Sequence, residues 1–316
     1  MIPTQTLSYN DKDNITIILR GIDSEKVISK RTSSGISFTI GNGVTLILDI
    51  NITLQGWSLM NNLNGRIIQV NTGGELIMNV GSKIIGNAGG GVDVNGGKFT
   101  MNEGIISGNL SWTNGGGVYV SNGIFIMNGG EISDNDAPLL NTGSGGGVYI
   151  SNGTFTMNNG LISNNSSTVG GGGVYISNGT FTMNNGLISN NSSRDGGGVF
   201  VSSTFNMTGG EISKNTARYT ENNTSSNKGG GGVFVNYGIF SKTGGTITGY
   251  NTSATNGNIV RNSAGGVAEI QASNVGHAIF VRTSTNNSLY RNTTVGPTVD
   301  LSYSRYGDIR SGTWNQ

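Results

Sequence analysis

The stretch Gly-Gly-Gly-Val-Tyr-Ile-Ser-Asn-Gly-Thr-Phe-Thr-Met-Asn-Asn-Gly-Leu-Ile-Ser-Asn-Asn-Ser-Ser occupies residues 145–167 and recurs without a mismatch at residues 171–193. A duplication of this length indicates a repeat architecture, in which one structural unit is stacked on the next. We therefore predict the fold from this unit before assigning a role to any single residue.

Looser copies of the unit lie on both sides of the duplicated pair. A Phe follows a Val after 7 residues, or after 6 in one copy, and an Ile follows the Phe after 7 residues. These markers are Val92, Val118, Val148, Val174, Val199 and Val233, then Phe99, Phe125, Phe155, Phe181, Phe205 and Phe240, then Ile106, Ile132, Ile162, Ile188, Ile212 and Ile247. Each marker lies in a short segment with apolar residues at alternate positions, followed by Gly-rich turns, which predicts three strands per unit.

Only the interval from the Ile to the next Val varies, between 11 and 21 residues, so the length variation is confined to one corner. One unit cannot bury its apolar face alone, whereas stacked units share a continuous core and pair their strands in parallel. We therefore predict an all-β fold, a right-handed parallel β-helix with three short strands per coil, capped at both ends. The right hand is chosen because crossovers between parallel strands nearly always take it.

The predicted solenoid is one continuous domain. Residues 1–33, where charged residues crowd around a strand at Ile15–Leu19, are predicted to form the N-terminal cap and first coil. Residues 34–281 are predicted to form the repeats, and residues 282–316 the C-terminal cap. Degenerate strands are expected at 38–40, 46–48, 52–54, 67–70, 76–78 and 83–85, and a final coil at 265–270 and 277–281.

The composition supports an ordered solenoid. Gly contributes 55 of 316 residues, which disfavours helices because each interior Gly costs a helix about 1 kcal/mol. Gly and Pro together make up about 18% of the chain, below the range of about 25–30% for structureless low-complexity sequences. The net charge of +1 gives no basic field for nucleic acid, and the absence of Cys excludes disulfides and thiolate metal sites.

The sequence also bears on location. No apolar run approaches the ~20 residues of a membrane span, so no transmembrane segment is expected. Residues 1–10 lack the basic start and apolar run of a signal peptide. An extracellular or bacterial cell-surface location would therefore require that a signal peptide has been removed; otherwise the chain is not exported.

The repeat motifs carry a family resemblance. Gly-Gly-Gly-Val precedes Phe-x-x-Asn at Phe99/Asn102, Phe125/Asn128, Phe155/Asn158 and Phe181/Asn184. This pattern resembles the Gly-Gly-Ala-Ile and Phe-x-x-Asn repeats of chlamydial polymorphic outer-membrane proteins. The complete repeat sequence, together with the Gly-His-Ala-Ile-Phe-Val segment that ends the repeats, is similar to β-helical repeat proteins predicted for spirochaetes and other bacteria. The resemblance implies a surface-exposed, passenger-like β-helix that serves adhesion.

One column of aromatic residues is the main candidate binding site. If Val118 and Val120 point into the core, then the residue between them points outward, and the same holds in later coils. The predicted column contains Tyr119, Tyr149, Tyr175, Phe200 and Phe234. These rings would form a stripe roughly 19 Å long. The stripe either stabilises the sheet by mutual stacking or forms a contact surface for a glycan or another chain.

Several polar columns have simpler structural interpretations. Asn109, Asn135, Asn165, Asn191 and Asn215 are expected to hydrogen-bond to one another within turns, and the Met column is expected to be core. Asp134, Asp136 and Asp195 could form a weak cation site, although ordinary turn positions are the simpler interpretation. His277 is expected to pack in the closing coil.

No catalytic residues, cofactor or metal site is predicted. Glu131 and Glu211 share a column but lie three coils apart, about 14 Å, too far to act as a pair. We therefore expect a non-enzymatic extracellular or cell-surface protein that is structural or adhesive. It would bind a glycan or protein through the aromatic stripe and the variable corner, including the insertions at 136–144 and 216–228. The alternatives are a self-assembling filament or sheath subunit and a glycan-active enzyme of the pectate-lyase-like fold.

Overall fold

A computed structural model describes residues 5–9, 14–29, 37–57, 65–218, 228–250, 256–261, 275–282, 289–291 and 293–303. Over these ranges the regular elements are all β-strands, and they form a right-handed parallel β-helix, which confirms the predicted fold. Within the same ranges no helix is long and apolar enough to cross a membrane.

Three long sheets run along the solenoid, one strand per coil in each. Sheet 1 contains Gln5–Leu7, Phe38–Ile40, Ile68–Asn71, Val92–Asn95, Val118–Val120, Val148–Ile150, Val174–Ile176, Val199–Val201, Val233–Asn236, Ile279–Arg282 and Leu289–Arg291. Sheet 2 contains Ile15–Leu19, Val44–Leu48, Glu75–Met78, Lys98–Met101, Ile124–Met127, Thr154–Met157, Thr180–Met183, Thr204–Met207, Ile239–Lys242 and Leu301–Tyr303. Sheet 3 contains Lys26–Ser29, Ile52–Gln55, Lys83–Ile85, Ile105–Ser107, Glu131–Ser133, Leu161–Ser163, Leu187–Ser189, Glu211–Ser213 and Thr246–Ile247.

The strand register follows the predicted markers. The six marker Val residues lie opposite one another in sheet 1, the six Phe residues in sheet 2 and the six Ile residues in sheet 3. Because the side chains of a strand alternate between its two faces, this register directs every marker into the interior. The described degenerate strands lie within a residue or two of the predicted segments.

The core is a set of stacked columns. The marker Phe rings from Phe99 to Phe205 stack almost parallel, with centroids 4.6–4.9 Å apart, and all of them are fully buried. Met101, Met127, Met157, Met183 and Met207 are likewise fully buried, which confirms the prediction that they belong to the core. Each coil thus places the same side chain on its copy in the next coil, so the repeated sequence packs against itself.

A fourth, short sheet lies at the variable corner, where no strand was predicted. This corner sheet contains Asp136–Ala137, Ser166–Ser167, Ser192–Ser193, Thr216–Arg218 and Ile259–Arg261. A two-stranded pair, Lys228–Gly229 with Val275–Gly276, lies beyond it. The corner strands are two or three residues long, too short for their alternation to be recognised in the sequence.

A ladder of asparagines lies at the turn between the strands of sheet 3 and the strands of the corner sheet. The buried asparagine ladder consists of Asn109, Asn135, Asn165, Asn191, Asn215 and Asn258. Each Nδ2 donates to the Oδ1 of the next member at 2.9–3.0 Å, as predicted for the first five. The residue before the ladder position has a left-handed backbone, for example Asp134 (φ 56°) and Asn164 (φ 56°).

The two ends of the described solenoid differ. At the C-terminal end Leu289–Arg291 and Leu301–Tyr303 pair antiparallel with the last parallel strands of sheets 1 and 2. The buried Lys242 continues the Met column and donates from Nζ to the carbonyls of Gly296 (2.7 Å) and Val299 (2.9 Å). The domain boundaries at residues 33 and 281 stay predictions, and the predicted strand at 265–270 lies outside the described residues.

At the N-terminal end, the inward apolar side chains of the first described coil are only partly buried. They are Leu7, Ile15, Ile17, Leu19 and Ile28. Their counterparts one coil further, such as Ile40 and Leu46, are fully buried. The first coil therefore carries apolar surface at the end of the solenoid.

Candidate functional site

The predicted aromatic residues form one continuous column on the outer face of sheet 1. Successive ring centroids from Tyr119 to Phe234 are 5.3, 5.1, 4.6 and 5.1 Å apart. The column continues to Phe280, 5.4 Å from Phe234, which was not predicted. The rings of the tyrosines lie within 11° of parallel, so each interior ring has its faces against its neighbours. Mutual stacking therefore occurs, and it leaves ring edges and hydroxyls, not ring faces, for any ligand.

Exposure divides the column into two parts. Tyr119, Tyr149 and Tyr175 are half-buried, and we call them the tyrosine stripe. Phe200 and Phe234 are only 6% and 4% exposed, so the expectation that they form an accessible surface is wrong. With Phe280 they form a separate buried cluster against which Tyr175 packs. The change from Tyr to Phe along the column thus follows the loss of contact with solvent.

Gly-rich segments from the variable corner cover the aromatic column. A methyl group on Gly170 would lie 2.7 Å from Cδ2 of Phe200, and one on Gly145 would lie 2.9 Å from Cβ of Tyr149. Gly145 also has a φ of 65°, which an L-residue with a side chain rarely adopts. The alternation of inward and outward residues in the strands of sheet 1 correctly predicted that these rings point outward. It gave no information about the segment that lies over them.

The tyrosine hydroxyls are held by serines of the next coil. Tyr149 hydrogen-bonds to the side chain of Ser177, and Tyr175 to that of Ser202. Burial raises the pKa of both phenols above their usual value, and these hydrogen bonds act in the opposite direction. Two of the three hydroxyls of the tyrosine stripe, those of Tyr149 and Tyr175, therefore already have protein partners.

A charged pair closes the N-terminal end of the stripe. The guanidinium of Arg66 lies 5.1 Å from the centroid of the Tyr119 ring and donates to the carbonyls of Asn114 (2.7 Å) and Gly115 (2.6 Å). Burial lowers the pKa of Arg66 to about 10, opposed by the carboxylate of Asp93 and by Tyr119. Burial likewise raises the pKa of Asp93, opposed by Arg66 and a hydrogen bond from Ser121. The stripe ends at Asp93, which takes the position of Tyr119 in the preceding coil.

The variable corner carries a groove that no single stretch of sequence indicates. This corner groove encloses about 460 Å³, within the range of about 300–1,000 Å³ typical of small-molecule sites. It is lined by Asp136, Pro138, Leu140, Asn141, Ser166, Ser167, Thr168, Ser192, Ser193, Arg194 and Arg218. These residues come from four successive coils, so only the stacking of the coils brings them together.

The first predicted insertion builds one wall of the groove. Within this wall Leu139 is 38% and Leu140 75% exposed, which is unusual for leucine side chains. The wall is fixed to the next coil because Thr168 donates from Oγ1 to the carbonyl of Leu139 at 2.6 Å and Val169 donates from its backbone N–H to Gly143. The apolar surface is therefore displayed by an anchored segment. Residues 219–227 of the second predicted insertion lie outside the described residues.

The carboxylates that were considered as a cation site do not converge. Asp134 is exposed, Asp136 accepts a hydrogen bond from Ser166 at 2.5 Å, and Asp195 forms an ion pair with Arg194 at 3.0 Å. In the part of the chain that the structure describes, no three His, Asp or Glu side chains are grouped so that they could hold a metal ion. His277 is fully buried, as expected, and its Nδ1 accepts from the backbone N–H of Val260 at 3.0 Å.

A second, smaller groove of about 360 Å³ lies on the outer side of sheet 3. It brings Glu103 and Glu131 together with Lys83, a combination that the sequence analysis missed. Glu103 lies in a turn and Glu131 at the start of a strand one coil later, so neither alternation nor spacing pairs them. Glu211 does not line this groove.

Comparison with known proteins adds no relative: no family model, no curated protein and no solved structure matches this chain.

Proposed function

We propose that this chain is a non-enzymatic, rod-like binding protein of the bacterial cell surface or extracellular space, with its ligand contact at the variable corner. The observation that carries the proposal is the corner groove, in which the exposed Leu140, serine hydroxyls and two arginines from four coils meet. A saccharide on a cell surface has both apolar C–H faces and hydroxyls. A groove with both kinds of surface suits such a ligand.

The position of the groove supports this proposal. Length variation in the repeats is confined to the corner, while the strands of sheets 1, 2 and 3 keep their register. In a solenoid the constant coils supply rigidity, and the loops supply recognition. The tyrosine stripe runs along sheet 1 with its ring faces occupied by stacking, so we assign it a stabilising role and assign the contact to the groove.

The test is binding of the full chain to an array of immobilised bacterial and host-type oligosaccharides. Leu140→Ser removes apolar surface from the groove and should abolish binding. The matched control is Ile22→Ser, which removes an apolar side chain that is 70% exposed on the N-terminal coil. This control should bind like the unmodified protein. Circular dichroism verifies that both variants are folded.

A third variant distinguishes binding at the corner groove from binding at the tyrosine stripe. Tyr149→Ala opens the aromatic column and should weaken stability while leaving array binding intact. Loss of binding in Tyr149→Ala with retention in Leu140→Ser would move the site to the tyrosine stripe. Absence of binding to every oligosaccharide would contradict the proposal as a whole.

A second candidate function is self-association through the N-terminal coil. The half-buried apolar residues of this coil favour it, as do the exposed Ile18 (53%) and Val27 (52%). The described C-terminal edges instead end in antiparallel strands, so the two ends do not match as head and tail. We therefore expect a closed dimer of two N-terminal ends, not an open filament.

Light scattering over a concentration series tests this second candidate. A dimer that Val27→Lys converts to monomer would support it, because a charge on an edge strand opposes edge-to-edge pairing. Monomers at every concentration would reject it, and growing fibres would reject the closed arrangement.

A further inference from the structure

We propose that the corner groove takes a saccharide that carries a carboxylate, with Arg194 and Arg218 binding the carboxylate. This inference rests on the proposed function and names the ligand class of the same site. Charge, hydroxyls and apolar surface each have a different place along the groove.

The cationic part of the groove is a column of arginines on adjacent coils. Ser192 and Ser193 pair in register with Thr216 and Ala217, so Arg194 and Arg218 directly follow paired positions on two adjacent coils. Both side chains line the groove. Two guanidinium groups that line one groove can hold one carboxylate from two sides, because each offers several N–H donors to its oxygens.

These two arginines retain donors for a ligand. Arg194 donates from Nε to the carboxylate of Asp195, and this ion pair orients the guanidinium. The terminal amino groups of Arg194 form no hydrogen bond with the described residues. Arg218 is exposed, and its side chain forms no hydrogen bond or ion pair with the described part of the chain. A bound carboxylate would therefore add to the existing contacts and would not have to displace one.

The rest of the groove fits the body of a sugar. Ser166 and Ser192 present hydroxyls on the floor, and Asp136, which accepts from Ser166, supplies a carboxylate that can accept from sugar hydroxyls. Leu140 and Pro138 form an apolar wall against which the C–H face of a sugar ring can pack. An inorganic anion would use only the arginines and would leave this wall and floor without a role.

The experiment uses the full chain and a chemically matched pair of probes. One probe is an oligogalacturonate, and the other is the same oligosaccharide with its carboxylates methyl-esterified. Calorimetric titration measures both. We expect the acid to bind at least tenfold more tightly than the ester, and its affinity to fall as salt is raised because the contact is between charges.

Two charge-removing variants locate the contact. Arg218→Gln should weaken binding of the acid at least tenfold without changing binding of the ester. Lys98→Gln removes the same formal charge from sheet 2, away from the groove, and should bind like the unmodified protein. Since the Arg218 side chain is exposed and forms no hydrogen bond or ion pair with described residues, Arg218→Gln is expected to fold, which circular dichroism verifies.

The outcomes separate this inference from the proposed function. Equal affinity for acid and ester, with binding lost in Leu140→Ser, would overturn the carboxylate assignment and leave the corner groove as a site for neutral saccharides. Preference for the acid that persists in Arg218→Gln would also overturn the assignment to these arginines. Absence of binding to both probes and to the oligosaccharide array would overturn the two together.

Discussion

The Nδ2 and the backbone N–H of Asn165 both donate to Oδ1 of Asn191, each at 2.9 Å. Asn165 in turn accepts the same two donors from Asn135 and donates from Nδ2 to the carbonyl of Ile132 at 2.9 Å. The Asn165 side chain thus satisfies two backbone groups of the preceding coil and is linked to the side chain of Asn191 in the following coil, in a place that water does not reach. This is the main reason why the corner can vary in length while the coils on either side of it stay in register.

Asn165→Ala should therefore be strongly destabilising. The substitution leaves the Ile132 carbonyl and the Asn135 N–H without their partner, and each buried orphaned group costs about 1–3 kcal/mol. We expect the free energy of unfolding to fall by about 3 kcal/mol, measured by urea denaturation. The matched control is Asn158→Ala in a second column of asparagines, which is exposed to solvent and in which Asn158 donates from Nδ2 to Oδ1 of Asn128 at 2.9 Å. A loss there of more than about 0.5 kcal/mol would contradict the role we assign to burial.

Gly170→Ala tests the covering of the aromatic column. The new methyl group would lie 2.7 Å from the Phe200 ring, so the ring or the corner segment must move, at a cost of about 1–3 kcal/mol. Gly296→Ala is the control because no atom lies within 4 Å of the position of its methyl group. In a Phe200→Leu background the cost of Gly170→Ala should be smaller, since the ring that it meets is gone. An equal cost in both backgrounds would show that the ring is not the obstacle.

The repeat explains which parts of this structure could be predicted. Val118, Phe125 and Ile132 belong to strands whose copies lie in register along the chain, so periodicity alone indicated that each would meet its copy in the core. The burial of Phe200 could not be predicted in this way, because the segment at Gly170 that covers it belongs to a neighbouring coil and lies outside the strands that carry the markers. The change from Tyr at position 175 to Phe at position 200 of the column was the one feature of the sequence that indicated this burial.

The corner groove was beyond prediction for a related physical reason. Leu140 lies in an insertion that no other coil repeats, and Arg194 and Arg218 sit in corner segments of different length. Their positions in space depend on the corner sheet, which pairs only two or three residues per strand. Without knowledge of that register, the sequence does not predict that Arg194 and Arg218 lie next to the same side of the insertion.

Lys242→Met tests how the C-terminal end is held. Lys242 is 1% exposed, and burial lowers the pKa of its ammonium, while its hydrogen bonds to the carbonyls of Gly296 and Val299 hold residues 293–303 against the last coil. Met continues the Met column but cannot donate to those carbonyls. We expect amide hydrogen exchange to accelerate in Leu301–Tyr303 and to stay unchanged in Thr154–Met157. Lys98→Met, at an exposed ion pair of the same sheet, should change neither strand.

The tyrosine stripe should make the protein sensitive to alkaline pH. Burial raises the pKa of Tyr149 and Tyr175, so the phenols of the unfolded chain ionise first, near the usual value of about 10. Above that pH the unfolded state binds fewer protons than the folded state, and the free energy of unfolding falls as pH rises. The stabilisation is complete below pH ~10 and is lost as pH rises through the folded-state pKa values. Urea denaturation at several alkaline pH values measures this decline.

The double variant Tyr149→Phe/Tyr175→Phe identifies the source of the decline. It keeps the stacked rings but has no phenol to ionise at these positions, so its stability should fall less steeply above pH ~10 than that of the unmodified protein. At neutral pH it should be less stable by about 1–3 kcal/mol, because the hydrogen bonds to Ser177 and Ser202 are lost and each contributes about 0.5–1.5 kcal/mol. Tyr9→Phe, at an exposed tyrosine outside the column, should leave the alkaline decline as steep as before. An equally steep decline in the double variant would mean that ionisation of the stripe does not set the alkaline limit of this fold.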